Sequence, residues 1–186
     1  MAAERIAIFL DAGYLEQTLR KEFPGANVHF GKLAQELAGS QPLLRTYYYN
    51  CPPYQSDPPT IEEVRRKTSF DRFYSSLERL PRFSIRLGRL ARRSCASCGH
   101  KFFQQKRADL MLGVDLVSLA AKGQIAGAIL ITGDSDFLPA VELAKDCGVL
   151  VHLYHGGAKN PPHKDLFNVC DERTLITPDF VHKVAR

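Results

Sequence analysis

Two aspartates two residues apart, Asp134 and Asp136, follow the apolar run 126–132, "AGAILIT", after a single glycine. A third, Asp11, closes an earlier apolar run, Ile6–Leu10. Short, continuously hydrophobic runs are the pattern of strands buried on both faces, which puts all three acids at strand ends. If those strands are neighbours, the carboxylates meet at one edge of a sheet. Asp109 opens the helical stretch "ADLMLGVDLVSLA" and can face the same mouth. Asp115 lies six residues further, about 120° round that helix at ~100° per residue, so it ranks below the other four. Carboxylates packed this closely repel, and burial raises their pKa values unless a cation balances them. Mg²⁺ and Mn²⁺ answer that need, being hard ions that take oxygen ligands and leave positions for water and phosphate oxygens. An ion of this kind activates water and neutralises charge during in-line displacement at a phosphodiester. Helix capping is the bland alternative for Asp134 or Asp136. A cap accounts for one acid and leaves the matching Asp11 unexplained. No cysteine or histidine neighbours these strand ends in sequence, which argues against catalytic zinc.

The elements that must position these acids are legible in turn. A helix is expected from Ala12 to Phe23 and another through "FGKLAQELAG", stopped by Gly39. "LLRTYYYN" (43–50) reads as a strand, with its tyrosines on alternating faces, and the proline-rich 51–59 as loop. Thr60 and Glu63 have capping-box spacing ahead of a long helix. "RFSIRLG" alternates like a half-buried strand, and a basic loop leads into the helix of Asp109. After the strand 126–132 come a helix with Pro139 in its first turn and the strand "VLVHLYH". A short helix and an edge strand close the chain. Strands alternating with helices predict an α/β fold, a mostly parallel central sheet with helices on both faces. In such sheets ligands gather at the carboxyl ends of strands, where the strand order reverses. Residues 1–186 form one domain, without repeats or linker, carrying a cysteine-containing basic insertion at about 89–105. No run approaches the ~20 apolar residues of a membrane span and no signal peptide opens the chain, so a cytoplasmic location without membrane contact is expected.

The net charge of +5 is unevenly spread: Arg79–Ala108 carries nine Lys/Arg and no acid, leaving the rest of the chain net negative. Such a stretch is either a solvated face or a contact for a polyanion. Arg86, Arg89, Arg92, Arg93, Lys106 and Arg107 lead into the helix of Asp109 and are substrate-binding candidates, as is Ser135 between the paired acids. Within the stretch, Cys95-x-x-Cys98 followed by Gly99 and His100 is half of a structural Zn²⁺ site. Its alternative is a reduced, exposed pair of thiols, and a homo-oligomer is one way to complete the ligand set. Other chemistries lack their marks. No glycine-rich phosphate cradle follows any strand, and "GDSDF" lacks the second glycine of a serine-hydrolase elbow.

"IAIFLDAGYLEQTL", "QQKRADLMLGVDLVSLA" and "GAILITGDSDFLPAVELAKDCGVLVHLY" occur in that order at spacings that resemble the NYN domain. This is a branch of the PIN-like nucleases, and the LabA-like bacterial proteins look like the nearest subgroup. The resemblance spans roughly Arg5 to Val181. "TGDSDF" after an apolar strand, with a K-x-x-D helix before it, is its specific part. It implies a Rossmann-like PIN fold, a divalent metal at an acidic cluster, and a metal-dependent ribonuclease, an endonuclease acting on single-stranded RNA. Carried over by motif are Asp11, Asp109, Asp134 and Asp136 as catalytic and metal-binding residues, with Asp115 as a weaker fifth ligand. Lys106, three residues before Asp109, matches the family's lysine. One departure stands out: the family's D-G-x-N reads "DAGY" here, so Tyr14 replaces an amide. Tyr14 can donate a hydrogen bond or stack on a base. The substitution also opens a rival reading, a catalytically weak or inactive RNA- or protein-binding module on the same fold.

Overall fold

The computed structural model describes residues 4–94, Cys98 and 101–186, with the backbone alone described at 91–94 and 101–106. Six parallel strands form the central sheet: β1 (Ile6–Asp11), β2 (Leu43–Asn50), β3 (Phe83–Leu87), β6 (Gly127–Ile131), β7 (Leu150–His155) and β8 (Glu172–Leu175). Their order is β3-β2-β1-β6-β7-β8. The chain builds outward from β1 in one direction and then restarts at β6 on its other side. Strand order therefore reverses between β1 and β6, which pair in register from Ile6 opposite Gly127 to Leu10 opposite Ile131.

Side-chain alternation along β1 divides the core into two layers. Ala7 and Phe9 face α4 (Ala108–Ala121), α5 (Leu138–Asp146) and α6 (Lys164–Val169), through Leu112, Leu116, Val141 and Leu166. Ile6, Ile8 and Leu10 face α1 (Ala12–Glu22), α2 (Phe30–Ala38), α3 (Ile61–Glu78) and α7 (Pro178–Lys183), through Leu15, Leu33, Leu77 and Val181. The tyrosines of β2 split the same way: Tyr47 and Tyr49 lie in the first layer and Tyr48 in the second, all buried. The expected α/β architecture, parallel and covered on both faces, is the observed one.

Local signals act where expected. Thr60 accepts from the Glu63 N–H while Glu63 accepts from the Thr60 N–H at 2.8 Å, the reciprocal capping box that starts α3. Gly39 ends α2 with φ +55°, in the left-handed region that glycine tolerates best. The expected basic loop is instead partly regular. β4 (Arg89–Ser94) and β5 (Lys101–Lys106) pair antiparallel as a separate two-stranded ribbon. A ribbon outside the main sheet needs no apolar alternation from burial, so the usual strand signal is weak there.

Candidate active site

Asp11 ends β1 and Asp134 follows the neighbouring β6, so the switch point brings them together. Asp11, the last residue of β1, is also the N-cap of α1, and its Oδ1 accepts from the Tyr14 N–H at 3.2 Å. Its Oδ2 accepts from the Thr132 hydroxyl at 3.1 Å, one strand over. Thr132 is fully buried just past β6, so it holds Asp11 from the neighbouring strand. Asp134 follows and caps a 3₁₀ turn, Ser135–Phe137, accepting from the Asp136 N–H at 3.0 Å. The capping reading and the strand-end reading of Asp134 thus hold together: one oxygen caps and the group still faces the opening.

Asp11, Asp109 and Asp134 line one open cavity of about 750 Å³ at the carboxyl edge of the sheet. Asp136 lies on the other side of Asp109, at the head of an apolar groove between α4 and α5. The acids feel each other. Burial, then the Asp109 charge, pushes the Asp11 carboxyl above its ordinary pKa, although hydrogen bonds from Tyr14 and Thr132 pull the other way. Burial also raises Asp109, helped by repulsion from Asp134 and Asp136. Four acids brought within electrostatic reach make a locus that favours protons or cations.

Asp115 does not join them. Its Oδ2 accepts from Arg86 Nε at 2.9 Å and from the Tyr49 hydroxyl at 3.0 Å, across the ends of β2 and β3. The helical rotation between positions 109 and 115 carries it to that side. Arg86 is correspondingly engaged, with its guanidinium 5.2 Å from the Tyr47 ring centre. Among the other predicted contacts, Arg89 and Arg107 are exposed, Arg107 with a left-handed φ of 77° just before α4. Ser135 is half-buried in the 3₁₀ turn. The side chains of Arg92, Arg93 and Lys106 lie outside the described residues. So do Cys95 and His100 of the zinc reading, whose remaining member, Cys98, is exposed.

Tyr14 lines the cavity, but its hydroxyl is used inside the protein. It donates to the Asn160 carbonyl and accepts from the Gly156 N–H, both at 3.0 Å. Its ring lies against Gly133, where any Cβ would overlap it. Asn160 is 7% exposed and tied to α1 three more times. Its amide donates to Thr18 Oγ1 at 2.8 Å, its Oδ1 accepts from Lys21 at 3.2 Å, and its N–H donates to Glu22 at 3.0 Å. Tyr14 is thereby the inner end of a latch that clamps the segment after β7 onto α1 and walls the cavity.

Sequence reasoning missed Thr132, Asn160 and the polar face of α1. Gly13, Glu16, Gln17 and Arg20 recur at helical spacing directly after Asp11 and all line the cavity. That periodicity was the available signal for α1. Nothing local marks Asn160, whose side-chain partners, Thr18 and Lys21, are more than a hundred residues away.

A family model for the NYN domain matches residues 5–177. The chain belongs to the NYN family. NYN domains are nuclease-like domains of the PIN-like superfamily, which makes a hydrolase acting on nucleic acid the coarse expectation for this NYN domain. A solved structure of a protein of unknown function from Vibrio parahaemolyticus shares the fold, with a TM-score of 0.68, 19% identity and 96% of each chain covered. An uncharacterized protein of Sinorhizobium fredii, y4oD, is 40% identical over 50 residues, covering 27% of this chain and 23% of that protein. The matched stretch is thus under a quarter of that relative's length. No helix among the described residues is long and apolar enough to cross a membrane.

Proposed function

We propose that this NYN domain is a divalent-metal-dependent ribonuclease that hydrolyses phosphodiester bonds of single-stranded RNA in the cytoplasm, cutting within the strand. The observation that carries the reading is the meeting of Asp11, Asp109 and Asp134 in one cavity at the strand-order reversal, with Asp11 and Asp109 raised in pKa by burial and by neighbouring acids. PIN-like nucleases generally use divalent metals. Among the described residues no three His, Cys, Asp or Glu side chains are placed to hold one ion between them. Mg²⁺ typically takes only one or two protein carboxylates and fills its shell with water and phosphate oxygens. An all-oxygen donor set in which Asp11 and Asp109 are raised in pKa fits that pattern, and Mn²⁺ fits it as well. One or two of Asp11, Asp109 and Asp134 would hold the ion directly, and the remaining acids, Asp136 included, would add their field.

When bound, such an ion supplies charge neutralisation at the phosphodiester and activation of water. The chain does the rest. Thr132 and the Tyr14 N–H each take one oxygen of Asp11 and fix its carboxylate plane. The Asp136 N–H does the same for Asp134. Gln17 and Arg20, from the same cavity wall, bind phosphate oxygens of the strand. Labelled single-stranded RNA is expected to be cut in Mg²⁺ or Mn²⁺, with the activity reduced at least a hundredfold in Asp134→Asn, on the order of a lost electrostatic contact to the transition state.

The second reading, an RNA- or protein-binding module with little or no turnover, is favoured by one feature. The Tyr14 hydroxyl that replaces the family amide is spent on Asn160 and Gly156 and does not reach toward substrate. RNA binding without cleavage in both wild type and Asp134→Asn would select it.

A further inference from the structure

The carboxylate cavity does not end at α1. A second depression of about 450 Å³ shares Glu16 with it and is lined by Asn50, Arg65, Arg66, Ser69 and Phe70. Topology explains the junction. Asn50 is the last residue of β2, the parallel neighbour of β1, so both strands end at the same edge of the sheet. The helices that follow them in sequence, α1 and α3, begin at that edge, and Arg65 and Arg66 occupy the first turns of α3.

α3 buries little there. Its buried residues are Tyr74 and Leu77, near the far end, while Ile61, Arg65, Arg66 and Ser69 are exposed. Two other charges on the helix are engaged: Glu63 by Ser56 and the Thr60 N–H, Lys67 by Asp71. Arg65 and Arg66 make no ion pair among the described residues, and neither does Arg20 at the edge of the first cavity. Three guanidiniums without an ion pair among the described residues therefore border two adjoining depressions, the first of which holds the carboxylates. Among the described residues lining the second depression, the acid is Glu16. Burial raises its pKa, Arg20 offsets part of its charge, and the Tyr48 hydroxyl reaches it at 3.4 Å.

We infer that one flank of a bound single strand leaves the carboxylate cavity along this track, its phosphates held by Arg20, Arg65 and Arg66. The occupant is a flexible polyphosphate, because the cations are spaced along a groove and not gathered into one pocket. The sequence placed the basic path on 79–108; the geometry adds a path on α1 and α3, on the other side of β1 from the paired acids Asp134 and Asp136. This inference rests on the nuclease reading for the direction of the strand, but its test does not need cleavage.

Equilibrium binding of a fluorescently labelled, unstructured oligoribonucleotide in EDTA, at several salt concentrations, reads the track directly. Each phosphate contact on a single strand contributes about 0.7 to the slope of log affinity against log salt. Arg65→Gln/Arg66→Gln is expected to weaken binding and flatten the slope by about 1.4, two contacts' worth. Arg72→Gln, further along α3 and lining a separate depression, is expected to change neither. Glu16→Gln is expected to tighten binding. A DNA strand of the same sequence should lose as much as the RNA, since phosphates make the contacts. An unchanged slope in the double variant overturns the track. So does an equal effect from Arg72→Gln, which would mean diffuse attraction, or full displacement by an equally charged polyglutamate, which would make the occupant an acidic protein segment. Loss of cleavage from the nuclease assay leaves these readouts intact.

Discussion

At the scale of single residues the site is a balance between repulsion and fixation. Folding raises the Asp11 pKa, so ionising this group opposes folding. Its contribution is fully present below the unfolded value near 3.8 and is lost as pH rises through the higher folded value. Asp11→Asn keeps an N-cap oxygen for the Tyr14 N–H and removes the charge. The variant is expected to melt higher than wild type at pH 7 in EDTA and to lose that advantage near pH 3, as followed by circular dichroism. A lower melting point at pH 7 would mean that the carboxylate is stabilised in the folded state and the repulsion argument is wrong. Tyr14 makes the opposite kind of contribution. Gly133 has no room for a methyl group because the Tyr14 ring fills it. Gly133→Ala is therefore expected to cost about 1–3 kcal/mol in denaturant unfolding, the range for overpacking. In a Tyr14→Ala background the same change should cost far less, and that non-additivity is what identifies the ring as the obstacle.

Elements within the β6-β7-β8 half of the sheet are joined by a few polar ties, and Asp171 is one. Burial alone would raise its pKa, but the Val151 N–H at 2.8 Å and Lys145 at 3.0 Å outweigh it and hold the carboxyl below the ordinary range. It fastens the start of β8 to the start of β7 and to the end of α5. Because the folded pKa is depressed, this stability is present above the unfolded value of 3.8 and is lost as pH falls through the folded one. Asp171→Ala should cost about 0.5–1.5 kcal/mol at pH 7, the net contribution of the Val151 hydrogen bond with the solvent-screened Lys145 pair adding little, and the difference from wild type should shrink toward acid. The central strands of the sheet were legible in the sequence. "LLRTYYYN", "GAILI" and "LVHLYH" are apolar enough to be central, and their flanking Gly, Pro and Asp residues mark their ends. Less was legible where burial does not shape the pattern. The ribbon of β4 and β5 stands apart from the sheet, and α7 is only six residues long, Pro178–Lys183. In the site, the acids were visible because each ends a greasy run. Asn160 was not, because its three ties to α1 and the Tyr14 contact span 138 to 146 residues and leave no local trace.

For the whole molecule, the position of the site follows from how the sheet is wound. β1 is central, with β2 and β3 to one side and β6, β7 and β8 to the other, so the cavity collects Asp11 from the first half and Asp134 from the second. α4 connects the halves and brings Asp109. A cation bound there would bridge separate parts of the chain and must stabilise the fold by mass action. At a hundred times its dissociation constant the gain is about 2.7 kcal/mol. Mn²⁺ is therefore expected to raise the melting temperature of wild type in a dose-dependent way, while Asp11→Asn and Asp134→Asn lose most of that response. Asp115→Asn separates ligation from mere negative charge. Asp115 sits on the same helix as Asp109 but is committed to Arg86 and Tyr49. Its substitution should lower the melting temperature in EDTA, through the broken pair, yet leave the Mn²⁺-induced rise intact. Were the rise to vanish in Asp115→Asn and persist in Asp134→Asn, the ion would be binding beside β2 and β3, and the strand-order reversal would not be the metal site.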